Sequence, residues 1–108
     1  MSAAPDDRPE PDAVEWHEDK AGKNIGREDE GRIPFDIAQG IFLDERRLDK
    51  IDARRHYGEE RRNTIGSVDE LIIHVTYTMR GAAARIISSR CAKSKERKSY
   101  GNRAQEPE

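Results

Sequence analysis

Cysteine and long apolar runs are nearly absent from this sequence. Its one cysteine, Cys91, excludes an internal disulfide framework and a zinc or iron–sulfur site that needs several cysteines. No apolar run approaches the roughly 18 residues of a membrane-spanning helix, and residues 1–12 lack the basic and then apolar pattern of a secretory signal. A reducing compartment fits such a chain, so we expect a cytoplasmic protein without membrane contact.

Hydrophobic residues are scarce as well. They make up 33% of the 108 residues, whereas charged residues reach 39%. An average globular chain has about 25% charged residues, so the apolar core must be small, and the length allows no more than one domain. Residues 1–12 combine three prolines with four acids and no large apolar side chain, which predicts a disordered tail. Residues 101–108 are similarly polar, so we expect the domain to span residues 13–100.

The net charge of −2 conceals a gradient along the chain. Residues 1–31 carry 4 basic and 10 acidic side chains, and residues 70–108 carry 8 basic and 4 acidic ones. Seven basic residues lie between Arg80 and Lys98, against the single acid Glu96. A local basic surface attracts phosphates even when the whole chain is nearly neutral. A merely solvated charged face would have the same composition.

Hydrophobic periodicity predicts an α+β fold. A short alternating stretch at Ala13–Trp16 predicts a first strand, and Asp19 is placed to cap a short helix that ends at about Arg27. A second helix is predicted after Pro34, with its apolar face formed by Phe35, Ala38, Ile41 and Phe42. Alternation then predicts strands at residues 62–68, 71–78 and 84–89, a turn at Gly81 and a closing helix at residues 92–100. We therefore expect a small antiparallel sheet with two N-terminal helices and a C-terminal helix.

Several short segments in this order resemble one known family. They are Glu15-Trp16 with Lys20-Ala21 and Asn24, then Tyr57 to Arg61, Ile65-Gly66, Val75 to Arg80, Arg85 to Ala92, and Glu96-Arg97 with Tyr100. Together they look like the BrnT toxins of bacterial type II toxin–antitoxin pairs. The resemblance covers about residues 13–100 and rests on the order and spacing of all the segments, since each alone would be a weak signal.

The resemblance implies a RelE-like fold and a ribonuclease that cleaves cellular RNA and arrests growth. It also implies a cognate BrnA-like antitoxin with a ribbon-helix-helix region, which forms a hetero-oligomer with the toxin and supplies its contacts to operator DNA. The sequence departs from the family pattern after Asn24, where the family has Lys-His-Gly and this chain has a longer charged loop up to Phe35. That departure keeps an alternative open, a catalytically weakened protein of the same fold that binds RNA or antitoxin.

Metal-free RNA cleavage needs a base, an acid and positive charge on the phosphate. Arginine is the best phosphate ligand because its guanidinium gives two parallel donors and keeps its charge. We therefore predict Arg80 and Arg61 as catalytic residues, with Glu59 and His56 as candidate base or acid. The predicted RNA-binding residues are Arg85, Arg90, Lys93, Arg97, Tyr57 and Tyr100, the two tyrosines by stacking on bases.

Structural roles compete with several of these functional ones. Each arginine is equally suited to a surface ion pair with Glu59, Glu60 or Glu96, and Tyr100 is equally suited to packing the last helix onto the sheet. His74, which alternates with apolar residues, is predicted to be structural. No Gly-rich phosphate loop, zinc spacing or calcium loop is present, so we predict no cofactor and metal-independent chemistry.

Overall fold

A computed structural model describes residues 8–18, 31–52 and 58–104, of which residues 102–104 are described by their backbone alone. Its elements are β1 (Ala13–Trp16), α1 (Phe35–Ala38) followed by a 3-10 helix (Gln39–Leu43), β2 (Leu48–Ile51), β3 (Arg61–Val68), β4 (Leu71–Arg80), β5 (Ala83–Cys91) and α2 (Ser94–Ala104). The strands form one sheet in the order β1-β5-β4-β3-β2. The predicted α+β class is confirmed.

The longest strand, β4, is central because its sequence suits burial on both faces. Ile73, Val75 and Tyr77 are fully buried on one face, and β-branched Thr76 and Thr78 are buried on the other. Two tight turns join β4 to its antiparallel neighbours. Residues Asp69 and Glu70 both have positive φ in the β3–β4 turn, and Gly81 supplies a φ of +61° in the β4–β5 turn, as two-residue hairpin loops require.

The sheet is mixed, so the prediction of an antiparallel sheet is wrong at one edge. β1 pairs with β5 in parallel, with Ala13 opposite Ala83 and Trp16 opposite Ile86. A parallel neighbour needs a long crossover, which here is the whole chain between β1 and β5. The strand β2 was not predicted at all, and it pairs antiparallel with β3 at the opposite edge.

One face of the sheet holds the apolar core under α1 and the 3-10 helix. The buried residues include Phe35, Ala38 and Ile41 of these two short helices. Phe42 meets Tyr77 edge-to-face, with ring centroids 4.9 Å apart. The predicted second helix is thus present as one α-turn that continues into the 3-10 helix. The predicted first helix, residues 19–27, lies outside the described residues.

The structure describes part of each predicted tail, residues 8–12 and residues 101–104. Arg8 donates hydrogen bonds to the carbonyl oxygens of Glu45 and Arg47, and the N–H of Asp12 donates to Ala82. At the other end, α2 continues past Tyr100 to Ala104. Arg8 and Asp12 are thus hydrogen-bonded to other parts of the structure, and α2 extends four residues beyond the predicted end of the closing helix. Among the described residues, no helix is both long enough and apolar enough to cross a membrane.

Candidate functional site

The face of the sheet opposite the core is mainly polar, with Leu48 and Ile65 among its few apolar side chains, and we call it the open face. Alternation along β3, β4 and β5 places on it the side chains of Arg61, Asn63, His74, Thr76, Thr78, Arg80, Arg85, Ser88 and Arg90. The register between β4 and β5 shifts by one residue between Thr76 and Tyr77, at a β-bulge. Because of this shift, Arg85 and Ser88 both lie on the open face although they are three residues apart. The helix α2 lies beside one end of this face and leaves the other end uncovered by α2.

Three predicted arginines gather at the uncovered end. Thr78 of β4 lies directly between Arg61 of β3 and Arg85 of β5, and directly opposed residues have Cβ atoms about 4.5–5.5 Å apart. Arg80 lies on the same face, two residues further along β4. We call Arg61, Arg80 and Arg85 the arginine cluster. Thr78 is 3% exposed beneath it, and its hydroxyl donates to the carbonyl oxygen of Glu60 at 2.7 Å.

Two carboxylates flank the arginine cluster and leave one guanidinium open. Glu59 Oε2 accepts from Arg61 Nε, and Glu15 Oε2 accepts from Arg85 Nε, both at 3.2 Å. Arg80 is exposed, and its guanidinium makes no hydrogen bond or ion pair with any described residue. The cluster therefore combines positive charge in excess with a carboxylate, Glu59, held beside it. These are two of the three groups that metal-free RNA cleavage needs.

Two further predicted site residues, His56 and Tyr57, lie outside the described residues. The described residues on either side of them are close to the arginine cluster. The N–H of Asp52 donates to the carbonyl oxygen of Arg61 at 2.7 Å, and Glu59 contacts the Arg61 side chain. The roles of His56 and Tyr57 stay predictions from the sequence.

Arg90 lies at the opposite end of the sheet from Arg80. It pairs with His74, six residues from Arg80 on β4, or about 20 Å along an extended strand. Its guanidinium forms a two-point ion pair with Glu96, with Nη1–Oε1 at 2.8 Å and Nη2–Oε2 at 2.9 Å. This pairing, the N–H of Lys93 and the proximity of His74 lower the pKa of Glu96 to about 2. The structure thus gives Arg90 a structural role and does not bring it to the arginine cluster.

The remaining predicted RNA-binding residues lie on or beside α2. Lys93 is exposed next to the helix start, and Arg97 donates back to the carbonyl oxygen of Ala92 at 2.8 Å. Tyr100 donates its hydroxyl hydrogen to Asp44 Oδ2 at 2.6 Å. Burial and this hydrogen bond raise the pKa of Tyr100 to about 12. Because Asp44 also accepts the N–H of Ser67, Tyr100 fastens α2 to the edge of β3.

A buried polar cluster on the core face was missed from the sequence. Asp49 of β2 accepts from Arg62 Nε at 2.6 Å and from the Tyr77 hydroxyl, and Arg47 Nε lies 3.8 Å from it. Arg47 is fully buried, with its guanidinium 5.3 Å from the Phe42 ring centroid. Alternation along β3 would have placed Arg62 facing the core, but β2 has no pattern that predicts a strand. The buried polar cluster holds β2 on the sheet, and it thereby stabilises the edge of the sheet next to Arg61.

The fold and the open face define a small α+β protein with a cationic surface suited to the phosphates of a nucleic acid. The family model described as "Ribonuclease toxin, BrnT, of type II toxin-antitoxin system" matches residues 16–96. The chain therefore belongs to the BrnT family of ribonuclease toxins, which confirms the resemblance seen in the sequence. The family implies an RNA target and an antitoxin partner. A search of curated proteins finds no match to this chain.

Proposed function

We propose that this protein is the toxin of a type II toxin–antitoxin pair, a metal-independent endoribonuclease with a RelE-like fold that cleaves cellular RNA and arrests growth. The observation that carries the proposal is the arginine cluster, in which Arg61 and Arg85 flank Thr78 and Arg80 is open to a ligand. Three permanently charged groups on one face match the charge of an RNA backbone, which dominates the affinity of proteins for nucleic acids.

The arginine cluster has the chemistry to promote attack of a ribose 2′-hydroxyl on the adjacent phosphorus. The 2′-oxygen loses its proton and forms a bond to phosphorus, while the bond to the 5′-oxygen breaks and that oxygen takes up a proton. Arg80 and Arg61 stabilise the negative charge that builds on the phosphate oxygens. Glu59, held at 3.2 Å from Arg61, and His56 are the candidate base and acid. Arg85 binds the neighbouring phosphate.

The proposed partner is a BrnA-like antitoxin with a ribbon-helix-helix region, encoded beside the toxin. Its support is the family description, which names a type II system. Toxin and antitoxin form a hetero-oligomer in the cytoplasm, and only the antitoxin contacts operator DNA. Lys93 and Arg97, both exposed on or beside α2, remain RNA-binding residues in this proposal.

Controlled expression of the chain with and without the adjacent gene tests the proposal in cells. We expect growth arrest that co-expression of the neighbouring gene reverses. Purified protein should cleave single-stranded RNA in the presence of EDTA. Folded protein that leaves RNA intact in both EDTA and Mg²⁺ would favour the alternative, a catalytically weakened module that binds RNA or antitoxin. Cleavage that appears only with added Mg²⁺ would contradict metal independence.

A further inference from the structure

A groove runs between α2 and the open face, beginning where the arginine cluster ends. Its volume is about 370 Å³. Leu48, Lys50, Asn63 and Ile65 line it from the open face of the sheet, and Lys95 lines it from α2. Such a volume is in the range of small-molecule sites. Asn63 lies two residues from Arg61 on the same face of β3, about 7 Å along the strand. The groove is thus continuous with the arginine cluster.

The polar groups available in the groove are mainly hydrogen-bond donors. Asn63 Oδ1 accepts from the Thr76 hydroxyl at 2.8 Å, which leaves the Asn63 amide NH₂ with no partner among the described residues. Lys50 and Lys95 are exposed and make no ion pair within the described part of the chain. Two donor types therefore converge on one space.

Three carboxylates also line the groove, and two of them bind arginines. Glu96 binds Arg90 with both oxygens, and Asp49 binds Arg62. Asp52, which also lines the groove, lies at the end next to the arginine cluster. A ligand that is rich in acceptors and has one flat apolar surface fits this combination of donors and aliphatic side chains.

We propose that the groove binds one guanine base of single-stranded RNA, next to the phosphate held by the arginine cluster. Guanine presents two adjacent acceptors, O6 and N7, whereas adenine presents a donor at N6 beside N7. The Asn63 NH₂ and the Lys50 or Lys95 ammonium donate to O6 and N7, and Ile65 and Leu48 contact the face of the ring. His74, which lines the same groove at 9% exposure, supplies an aromatic edge to the pocket.

The proposal rests on the proposed ribonuclease function for the identity of its ligand, but its test does not depend on cleavage. The probes are guanosine 5′-monophosphate and adenosine 5′-monophosphate, titrated into the full-length protein by calorimetry. We expect the guanine nucleotide to bind at least about tenfold more tightly, as expected for one good donor pair on a base edge. Equal affinities, or no binding of the guanine nucleotide, would overturn the proposal.

Two variants locate the discrimination in the groove. Asn63→Asp keeps an acceptor for the Thr76 hydroxyl but replaces the two donors by a second acceptor, so the ratio of the two affinities should fall to about one. Lys98→Ala removes a charge from an exposed position of α2 outside the groove, so the ratio should stay as in the wild type. A thermal unfolding curve verifies that each variant is folded. An unchanged ratio in folded Asn63→Asp would overturn the proposal.

The outcomes separate this inference from the proposed function. If the protein cleaves RNA but binds both nucleotides equally, the proposed ribonuclease function is supported and the guanine site is contradicted. If the protein discriminates between the two nucleotides through Asn63 but leaves RNA intact, the guanine site is supported and the ribonuclease function is contradicted. If both hold, mapped cleavage positions should lie beside guanines, and Asn63→Asp should remove that preference while cleavage itself continues.

Discussion

Arg90 and Glu96 are joined by two parallel hydrogen bonds, at 2.8 and 2.9 Å. The same carboxylate accepts the N–H of Lys93 at 2.8 Å, as a glutamate does in the first turn of a capped helix. One side chain thus starts α2 and fixes it to β5. An arginine predicted to bind RNA therefore holds one wall of the groove in which we place a base.

Glu96→Gln should lower the free energy of unfolding at neutral pH and make that free energy less dependent on pH in acid. The pKa of Glu96 is lowered from 4.5 to about 2 in the folded state, so its contribution is complete above pH 4.5 and is lost as the pH falls toward 2. Charge-assisted hydrogen bonds of this kind contribute about 2 kcal/mol. Urea unfolding of the wild type and the variant between pH 7 and pH 2 measures the difference. The difference in unfolding free energy between the two proteins should become smaller as the pH falls. A difference that stays constant with pH would contradict the stabilising role of the ionised Glu96. Glu45→Gln, an exposed carboxylate, is the control.

Arg80→Ala should lower the rate of RNA cleavage by about a hundredfold or more, because loss of one preorganised donor to a developing charge has that effect. Folding should be unaffected, since the Arg80 side chain is exposed and has no partner among the described residues. Single-turnover cleavage of a labelled RNA gives the rate, and thermal unfolding verifies the fold. Lys98→Ala removes an equal charge from α2 and should leave the rate unchanged. A wild-type rate in Arg80→Ala would remove this residue from the site.

Tyr100→Phe tests whether the hydroxyl group of this residue fastens α2, without disturbing its proposed stacking on a base. The variant keeps an aromatic ring for stacking but loses the hydrogen bond to Asp44, so stability should fall by about 1 kcal/mol while RNA affinity is retained. Because the pKa of Tyr100 is raised from 10 to about 12, this contribution is complete below pH 10 and is lost as the pH rises through 12. Denaturant unfolding at pH 7 and at alkaline pH measures both effects. Equal stability at pH 7 would contradict the fastening role.

The central strand of the sheet could be predicted from the sequence, whereas the arrangement at the two edges could not. The segment from Leu71 to Thr78 predicts β4, because it consists almost entirely of β-branched, aromatic and other apolar residues, as suits a strand that is buried on both faces. β2 has no such pattern, and it is stable because Asp49 bonds to Arg62 and Tyr77 from other strands. A long-range contact of this kind leaves no local signal. The parallel placement of β1 is equally invisible, since it depends on the crossover and not on Ala13–Trp16 itself.

The three arginines of the arginine cluster were among the site residues predicted from the sequence, but their arrangement was not predicted. Residue type identifies Arg61, Arg80 and Arg85, but the placement of Arg61 and Arg85 on either side of Thr78 depends on strand register. A two-residue turn at Asp69 and Glu70 sets one register, although neither residue is a glycine or asparagine. The bulge on β5 sets the other. For the same reason the sequence did not separate Arg90 from Arg80.

Gly66→Ala and Gly101→Ala should change stability in opposite directions. A Cβ at position 66 would lie 2.8 Å from Ile41 Cγ1 and 3.1 Å from Arg47 Cβ, whereas a Cβ at position 101 would meet nothing within 4 Å. Overpacking at Gly66 should cost about 1–3 kcal/mol, because the 3-10 helix would have to move away from β3. Alanine within α2 should instead add up to about 1 kcal/mol by its helix propensity. Chemical unfolding of the two variants measures both changes. A neutral Gly66→Ala would mean that the 3-10 helix does not pack directly on β3, and the buried position of Arg47 beside it would then lose its explanation.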